Sequence, residues 1–289
     1  MSRTINWVSA LDVNNKSLLE DLQHKMVNFY SNSGTYYEDI DFNYNIWDDL
    51  LMLPQQDIID KLAEAQTVLE IGCGKANILA KSRELENKYS GIDFSPELIK
   101  ANEKKYAGAE FKAIDDPKRF PYPGETFDVV FSHFVIEHTI YPHVFIDECI
   151  RLLRPGGTLL ILCPDFLSKN RITSQRVGLS QGAGKSKLKE GKILDAFLTG
   201  VDNKIRLPYI CAKKRKLADL SPQFYINLNP TCFTDVFIPD VDAVYVTYEK
   251  EMKKYAADRI NWIEVPEAVA EFCKKRNLLY LKGIKCNQI

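Results

Sequence analysis

The chain has 289 residues, 45% of them hydrophobic and 27% charged, with a formal net charge of −1. This composition is typical of a globular protein and gives no overall bias toward nucleic acid or membranes. No apolar run reaches the roughly 18 residues of a transmembrane helix, and the start has no apolar signal-peptide region. The seven cysteines form no C-x-x-C pair, which favours reduced thiols over disulfides or zinc. We therefore predict a cytoplasmic protein without a membrane span.

The N-terminal region combines a helical pattern with many aromatic residues. Apolar residues recur at helical spacing from Leu18 to Met26, after the capping types Asn15 and Ser17. Seven aromatic residues follow between Phe29 and Trp47. This mixture is typical of a loop or short helix that packs through its rings. It is either a surface layer on the core or a lid over a ligand pocket.

The central feature is a strand followed by a glycine turn. Residues 68–71 are suited to a strand buried on both faces, and Gly72 and Gly74 allow a tight turn that a ligand can approach closely. A second strand ends at Asp93, 21 residues after Gly72, about where a carboxylate meets ribose hydroxyls in nucleotide-binding folds. A dinucleotide fingerprint would need glycine at position 77, where the chain has Asn77.

Strands and helices alternate through the middle of the chain. We predict strands at 67–71, 88–92, 110–114, 127–132 and 158–163, with helices at about 76–86, 96–105 and 143–153. This alternation predicts an α/β fold, a doubly wound parallel sheet with helices on both faces. Ligands in such folds bind beyond the carboxyl ends of the strands.

The pattern changes after Pro164. Residues 165–245 are too long for a structureless loop and are predicted to be an insertion with helix near 187–200. Regular signals resume with helices at about 248–258 and 266–276 and strands at 262–265 and 278–284.

Four segments between residues 65 and 165 resemble a known family. The glycine turn fits a pattern close to E-x-G-x-G-x-G, with Glu70 first and Ala76 in the last glycine's place. It is followed, in the right order and spacing, by 93–97 (DFSPE), 127–130 (FDVV) and 152–157 (LLRPGG). Together they resemble the class I S-adenosylmethionine-dependent methyltransferases, of the type 11-like group.

The resemblance implies a Rossmann-like, mostly parallel seven-stranded sheet with an antiparallel end. It implies S-adenosyl-L-methionine as the cofactor and S-adenosyl-L-homocysteine as the product. We predict an N-terminal helical lid over residues 1–60, a cofactor-binding core over 61–164 and 246–289, and a substrate-binding cap over 165–245. In the lid, Tyr36 and Tyr37 are the candidate cofactor contacts.

The resemblance also assigns roles around the glycine turn. Glu70 would orient the cofactor's ammonium group, directly or through water. Alternatively, backbone N–H groups of the turn would satisfy its carboxylate. Gly72 and Gly74 would leave room for the methionyl and ribose parts. Cys73 is expected there for its size and not as a nucleophile, because nothing indicates a lowered thiol pKa.

Two carboxylate positions complete the predicted cofactor site. Asp93 would accept both ribose hydroxyls, because Ser95 can cap the next helix and leave Asp93 available. Phe94 would pack on the adenine. Asp115 and Asp116 are both candidates for accepting the adenine amino group, and we expect one of them to be a structural turn residue.

Three histidines follow the fourth strand, namely His133, His138 and His143. Their spacing suits neither one helix face nor one strand face, so we predict no metal site. Ser132 and His133 lie where the family's backbone faces the methionyl end of the cofactor. His138, in a Glu-His pair typical of the family, is the first candidate for a general base. His133 is the second candidate, and helix-start packing is the alternative role of His138.

The acceptor is predicted with less detail. An Asn/Asp-Pro-Pro-aromatic motif is absent, and Cys163-Pro164 reverses the Pro-Cys order of covalent pyrimidine methylation. We expect O-methylation of a sugar or natural-product-like hydroxyl, with N- or C-methylation of a small molecule open. Residues 169–216 carry thirteen Lys or Arg against three acidic residues, either as a solvated surface or to attract an acidic or phosphorylated substrate. There are two competing hypotheses. One is RNA methylation, although nucleic acid is the less expected partner, and the other is a non-catalytic scaffold.

Overall fold

A computed structural model describes residues 6–32, 53–168, 184–230 and 242–287. The chain divides into two compact units. The first comprises Met1–Leu22, Glu137–Pro142 and Pro164–Tyr255, and the second comprises Gln23–Ile136, His143–Cys163 and Ala256–Ile289. Within the described residues, no helix combines the length and the apolar character needed to cross a bilayer.

The described strands, in chain order, are β1 Trp7–Ser9, β2 Val68–Ile71, β3 Tyr89–Asp93, β4 Glu110–Ala113, β5 Phe127–His133, β6 Leu153–Pro164, β7 Tyr225–Asn227, β8 Ile260–Ile263 and β9 Leu278–Lys285. The helices are α1 Lys16–Asn32, α2 53–64, α3 Asn77–Lys81, α4 Pro96–Lys105, α5 Pro142–Leu152, α6 Gly184–Lys189, α7 Ile193–Val201, α8 Leu207–Leu220, α9 Glu249–Tyr255 and α10 Glu267–Arg276.

The second unit is built on a seven-stranded sheet in the order β4-β3-β2-β5-β6-β9-β8. The pairs β2–β3, β3–β4, β2–β5 and β5–β6 are parallel, and β8–β9 is antiparallel. The chain moves outward from β2 to β4 and then returns to the other side of β2 with β5. This is the switch point at which ligands bind in doubly wound sheets. The predicted fold class, a doubly wound and mostly parallel seven-stranded sheet, is confirmed.

The apolar pattern of the strands explains why this sheet lies in the core. Every residue of β2 is buried, including Val68, Leu69 and Ile71, which are at most 1% exposed. Ile58 and Leu62 of helix α2 belong to the same apolar cluster as Val68. Because successive residues of a strand alternate between its faces and all four are buried, both faces of β2 are covered.

Helix α4 has the bounds predicted from sequence because its ends carry strong local signals. Ser95 Oγ accepts a hydrogen bond from the N–H of Leu98 at 3.3 Å, and Pro96 is the first helical residue. Helix α3 is shorter than predicted. It ends before Ser82, whose φ of −139° leaves the helical region, and a 3-10 turn over Arg83–Lys88 replaces its last turns.

The first unit contains a small two-stranded sheet and the helices α6, α7, α8 and α9. Strands β1 and β7 pair antiparallel, with Val8 opposite Ile226. Its core includes Trp7, Phe166, Leu167, Leu207, Cys211, Ala218, Tyr225, Ala243, Val246 and Tyr248. The helix predicted near 187–200 is two helices separated by Gly191, whose φ is +73°. Helix α8 and the β1–β7 pair were not predicted. The roles of the lid and the cap stay predictions.

Candidate functional site

The glycine loop after β2 has a conformation that its glycines make possible. Gly72 and Gly74 have φ values of +70° and +51°. A Cβ at Gly72 would lie 2.4 Å from Cγ2 of Val135, so this position has no room for a side chain. A Cβ at Gly74 would meet no atom of the described residues within 4 Å, so the backbone there borders open space. The loop therefore offers bare backbone to a ligand.

Asp93 anchors this loop. Its Oδ2 accepts the N–H of Gly74 at 2.9 Å, and its Oδ1 accepts the N–H of Ser95 at 2.9 Å. Burial raises the pKa of the Asp93 carboxyl, although these backbone N–H groups act in the opposite direction. Ser95 caps α4 as predicted. The carboxylate of Asp93, which was expected to be available to a ligand, already accepts these two backbone hydrogen bonds. Each oxygen keeps a second lone pair that can accept a ribose hydroxyl.

The structure distinguishes Asp115 from Asp116, the two candidates for the adenine contact that follow β4. Asp116 Oδ1 accepts the N–H of Lys118 at 2.8 Å, and the Asp116 carbonyl accepts the N–H of Arg119 at 3.1 Å. Asp116 is thus a turn residue. Asp115 is exposed and makes no side-chain hydrogen bond within the described ranges. Phe94, which directly follows Asp93, is 37% exposed. Asp115 and Phe94 are therefore available to an adenine.

Glu70 has a partner that the sequence did not indicate. Its side chain is buried, and the Tyr89 hydroxyl donates a hydrogen bond to Oε2. Burial raises the pKa of the Glu70 carboxyl to about 8, the negative charge of Asp93 adds to the rise, and the Tyr89 hydrogen bond opposes it. The Tyr89 hydroxyl is thus the partner of the Glu70 carboxyl in the structure, and a role of Glu70 toward the cofactor's ammonium group stays a prediction.

Cys73 is a packing residue of the loop. Its thiol is buried, and this burial raises the pKa of the thiol well above its usual value. The Asn102 amide donates to the Gly74 carbonyl at 2.8 Å and lies 3.9 Å from the Cys73 sulfur. Asn102, on α4, thus helps to hold the loop, and its role was not predicted. Burial and a raised thiol pKa are typical of a structural cysteine, so the packing role of Cys73 stands as a prediction.

Ser132 and His133 end β5, next to the end of β2. Ser132 is 1% exposed, and its hydroxyl has no hydrogen-bond partner among the residues that the structure describes. Nε2 of His133 lies 3.4 Å from the amide nitrogen of Gln55, whose Oε1 accepts from Lys81 at 2.7 Å. Because the amide nitrogen is a donor, this contact favours Nε2 of His133 as the acceptor.

His138 has a carboxylate partner in the first unit. Its Nδ1 lies 3.2 Å from Oδ2 of Asp242, and the two side chains are 19% and 3% exposed. The carbonyl of Glu137 accepts the N–H groups of Val244 and Tyr245 at 2.8 and 2.9 Å, which fixes the turn that carries His138. Asp242 was not predicted, because its partner is distant in the chain. The pair fits a histidine held in one orientation by a buried carboxylate.

The structure says less about the remaining candidates, which are His143, Tyr36 and Tyr37. Burial lowers the pKa of the His143 imidazole, and the nearby Asp147 charge only partly opposes this. Tyr36 and Tyr37 lie outside the described residues. Several polar groups lie beyond the carboxyl ends of β2 to β5 and are of the kind that could bind an adenosyl compound. They are the backbone at Gly74, the carboxylates of Asp93 and Asp115, and the buried hydroxyl of Ser132.

Comparisons with known proteins agree with this geometry. Residues 69–161 match a family described as methyltransferase domain. The 2-methyl-6-phytyl-1,4-hydroquinone methyltransferase of Synechocystis sp. is 36% identical over 109 residues, which cover 36% of this chain and 33% of that protein. The fatty-acid O-methyltransferase of Mycolicibacterium smegmatis is 36% identical over 104 residues, covering 34% of this chain and 36% of that protein. The chain thus spans about a third of the length of these relatives.

A solved structure extends the likeness in fold. The Burkholderia thailandensis 1,6-didemethyltoxoflavin-N1-methyltransferase, solved with 1,6-didemethyltoxoflavin and S-adenosylhomocysteine, has a TM-score of 0.51 and 15% identity. The match covers 92% of this chain and 90% of that one. Residues 69–161 therefore match a methyltransferase domain, and the solved structure shares the fold of this chain.

Proposed function

We propose that this chain transfers a methyl group from S-adenosyl-L-methionine to a hydroxyl oxygen of a small molecule, a sugar or a natural-product-like biosynthetic intermediate. The observation that carries the proposal is the glycine loop, with its backbone open at Gly74 and tied to Asp93. A carboxylate at the end of the second parallel strand is well placed for the two ribose hydroxyls.

The chain's own residues divide the work of binding. Asp93 would accept the ribose hydroxyls through its remaining lone pairs, and Asp115 would accept the adenine amino group. Phe94 would cover one face of the adenine, and Ser132 would donate to the methionyl part. When bound, the cofactor supplies an electrophilic methyl group on a sulfonium. The protein then needs mainly to orient the acceptor and to remove a proton from it.

His138 is our candidate for removing that proton. The Asp242 carboxylate, whose Oδ2 lies 3.2 Å from Nδ1, would favour a proton on that nitrogen. Nε2, which lies 3.8 Å from Oε1 of Glu137, would then be the basic atom. The Asp242 carboxylate also stabilises the imidazolium that forms after proton transfer. A hydroxyl needs this help more than a neutral amine does, because a hydroxyl is a weak nucleophile until it loses its proton. The Asp242–His138 pair therefore favours an oxygen acceptor.

The relatives leave the acceptor atom to experiment, because one is named for O-methylation and the structural neighbour for methylation at N1. The acidic or phosphorylated character of the acceptor stays a prediction from the basic residues of 169–216.

The test has two stages. Calorimetry should first detect binding of S-adenosyl-L-methionine and S-adenosyl-L-homocysteine, and the absence of both would contradict the cofactor site. The chain should then be incubated with methyl-labelled cofactor and a panel of hydroxyl, amine and carbon acceptors, and the products fragmented in a mass spectrometer. A methoxy product is expected. Label found on nitrogen or carbon would contradict the oxygen acceptor and leave the methyltransferase proposal standing.

His138→Ala separates the proposed base from a packing role. It should keep cofactor affinity and lower kcat by about 10²-fold or more, the usual effect of a general base. His24→Ala, on α1, is the matched control and should change neither quantity.

A further inference from the structure

The helical segment from α7 to α8 exposes large apolar side chains to solvent. We define the apolar stripe as Ile193, Leu194, Phe197, Ile205 and Tyr209, whose side chains are between 65% and 71% exposed. Most other exposed large apolar residues described in the structure are scattered singly and are less exposed. Clustered exposure of this kind marks an interaction surface, whereas single exposed residues do not.

The stripe is continuous along one stretch of helix. Helix α7, a π turn at Asp202–Arg206 and α8 follow each other without a break. Ile193 and Phe197 are four residues apart, as are Ile205 and Tyr209, and residues at this spacing are neighbours on a helix surface. The half-buried Val201 lies midway between the two pairs. At about 1.5 Å per residue the row is about 24 Å long. The segment packs into the core of the first unit through other, buried residues, namely Leu207, Cys211 and Ala218.

The surroundings of the stripe are basic. Residues 184–220 contain ten Lys or Arg and four Asp or Glu. Lys214 and Arg215 are used internally, since they donate to the carbonyls of Trp7 at 3.1 Å and Leu167 at 2.5 Å. Lys204 and Lys213 are exposed and form no ion pair within the described ranges. Exposed cations therefore flank the α8 half of the apolar stripe, whereas the only charged residue of α7 is Asp195.

The exposed apolar stripe and the lysines beside it together indicate which kind of partner binds. A second copy of the chain would bring two basic surfaces against each other in a self-complementary contact, which charge repulsion disfavours. RNA would engage the lysines but would leave the aliphatic side chains without a role, because single strands stack on aromatic rings. An anionic lipid surface would contact both the apolar stripe and the lysines. Apolar side chains enter the headgroup region, and lysines bind the phosphates.

We propose that the apolar stripe and its flanking lysines dock this chain on an anionic lipid surface. The stripe lies at the boundary between headgroups and acyl chains, and Lys204 and Lys213 lie at the level of the phosphates. Docking of this kind is peripheral and reversible, and it weakens as salt screens the lysines.

The experiment is co-sedimentation of the full chain with vesicles. Binding is expected to phosphatidylcholine vesicles that contain phosphatidylglycerol, with much weaker binding to pure phosphatidylcholine and release at high salt. The double variant Leu194→Ser with Phe197→Ser should lower the vesicle-bound fraction at least tenfold at equal lipid. Val13→Ser, at an 84% exposed position outside the stripe, is the control and should bind like the original chain.

A second pair of variants tests the charges. Lys204→Gln with Lys213→Gln should lower binding to the anionic vesicles and leave the weak binding to neutral vesicles unchanged. Circular dichroism spectra that match the original chain would show that the variants are folded.

Three results would overturn the proposal. The first is no sedimentation with anionic vesicles, or sedimentation that the double serine variant leaves unchanged. The second is a dimer in light scattering that becomes a monomer in that variant, which would assign the stripe to a second copy. The third is retention of single-stranded RNA without vesicle binding, which would assign the segment to nucleic acid.

Discussion

The backbone N–H of Gly74 donates a hydrogen bond to Oδ2 of Asp93 at 2.9 Å. This contact joins the loop after β2 to the end of β3. The same carboxylate accepts from Ser95, at the start of α4, so one side chain fixes three successive parts of the predicted cofactor site. Asp93 therefore has a structural role in addition to the ribose contact predicted from sequence.

Replacing Asp93 should affect both the ligand and the loop. We expect Asp93→Ala to weaken S-adenosyl-L-methionine binding by about 1.5–3 kcal/mol, the usual range for hydrogen bonds to a charged group. Calorimetry measures this directly. Asp116→Ala is the matched control, because that carboxylate serves only a local turn, and it should change the affinity little. Unaltered affinity in Asp93→Ala would contradict the assignment.

Gly91 should not tolerate a side chain, because it supports the loop from β3. A Cβ at Gly91 would lie 2.9 Å from the Cys73 sulfur and 2.9 Å from two ring atoms of Phe111. We expect Gly91→Ala to lower the free energy of unfolding by about 1–3 kcal/mol, as overpacking of a core does. Chemical denaturation provides the measurement.

Gly200 in α7 is the matched control for that change. A Cβ there meets no described atom within 4 Å. Alanine also has the higher helix propensity, so Gly200→Ala should raise the free energy of unfolding by about 0.5–1 kcal/mol. Equal effects of the two substitutions would argue against the contacts at Gly91.

Glu70 should make stability depend on pH. Its pKa is raised from the usual 4.5 to about 8 in the folded chain. Between these two values the folded state keeps a proton that the unfolded state has lost. The stabilisation of the folded state by this proton is fully present below pH 4.5. It is lost as the pH rises through 8, and the free energy of unfolding falls by about 1.4 kcal/mol per pH unit.

The variant Glu70→Gln keeps an uncharged group that can accept from the Tyr89 hydroxyl. We expect its free energy of unfolding to fall less steeply than that of the original chain between pH 6 and pH 8. Denaturation curves at several pH values compare the two chains. Parallel pH dependences would mean that Glu70 is charged in the folded protein.

Asp242 should act through His138. Asp242→Asn removes the negative charge 3.2 Å from Nδ1 and leaves a side chain of the same size. We expect kcat to fall tenfold or more with little change in cofactor affinity. The basic form of the histidine should also appear at lower pH, which moves the pH–rate profile downward. Glu249→Gln, at a half-buried surface position that pairs with Lys253, is the control. A kcat loss without a change in the profile would indicate a packing role for Asp242.

The sequence by itself determined the elements and the edge at which a ligand would bind. Apolar runs such as Val68–Ile71 require burial on both faces, so their alternation with helical patterns predicts a parallel sheet. The carboxyl ends of parallel strands lie at one edge, which is why the glycine turn and Asp93 could be predicted to lie at that edge. The capping signals at Ser95 and Pro96 are local, and so the start of α4 followed from them.

The tertiary structure decided which side chains meet across the fold. The Tyr89 partner of Glu70, the Asn102 support of the glycine loop and the Asp242 partner of His138 all depend on register and chain path. Nothing in a local pattern records such pairings, because periodicity shows which face of an element is buried and not what it faces. The same reason explains the unpredicted pairing of β1 with β7, in which strands of three residues find each other from distant parts of the chain.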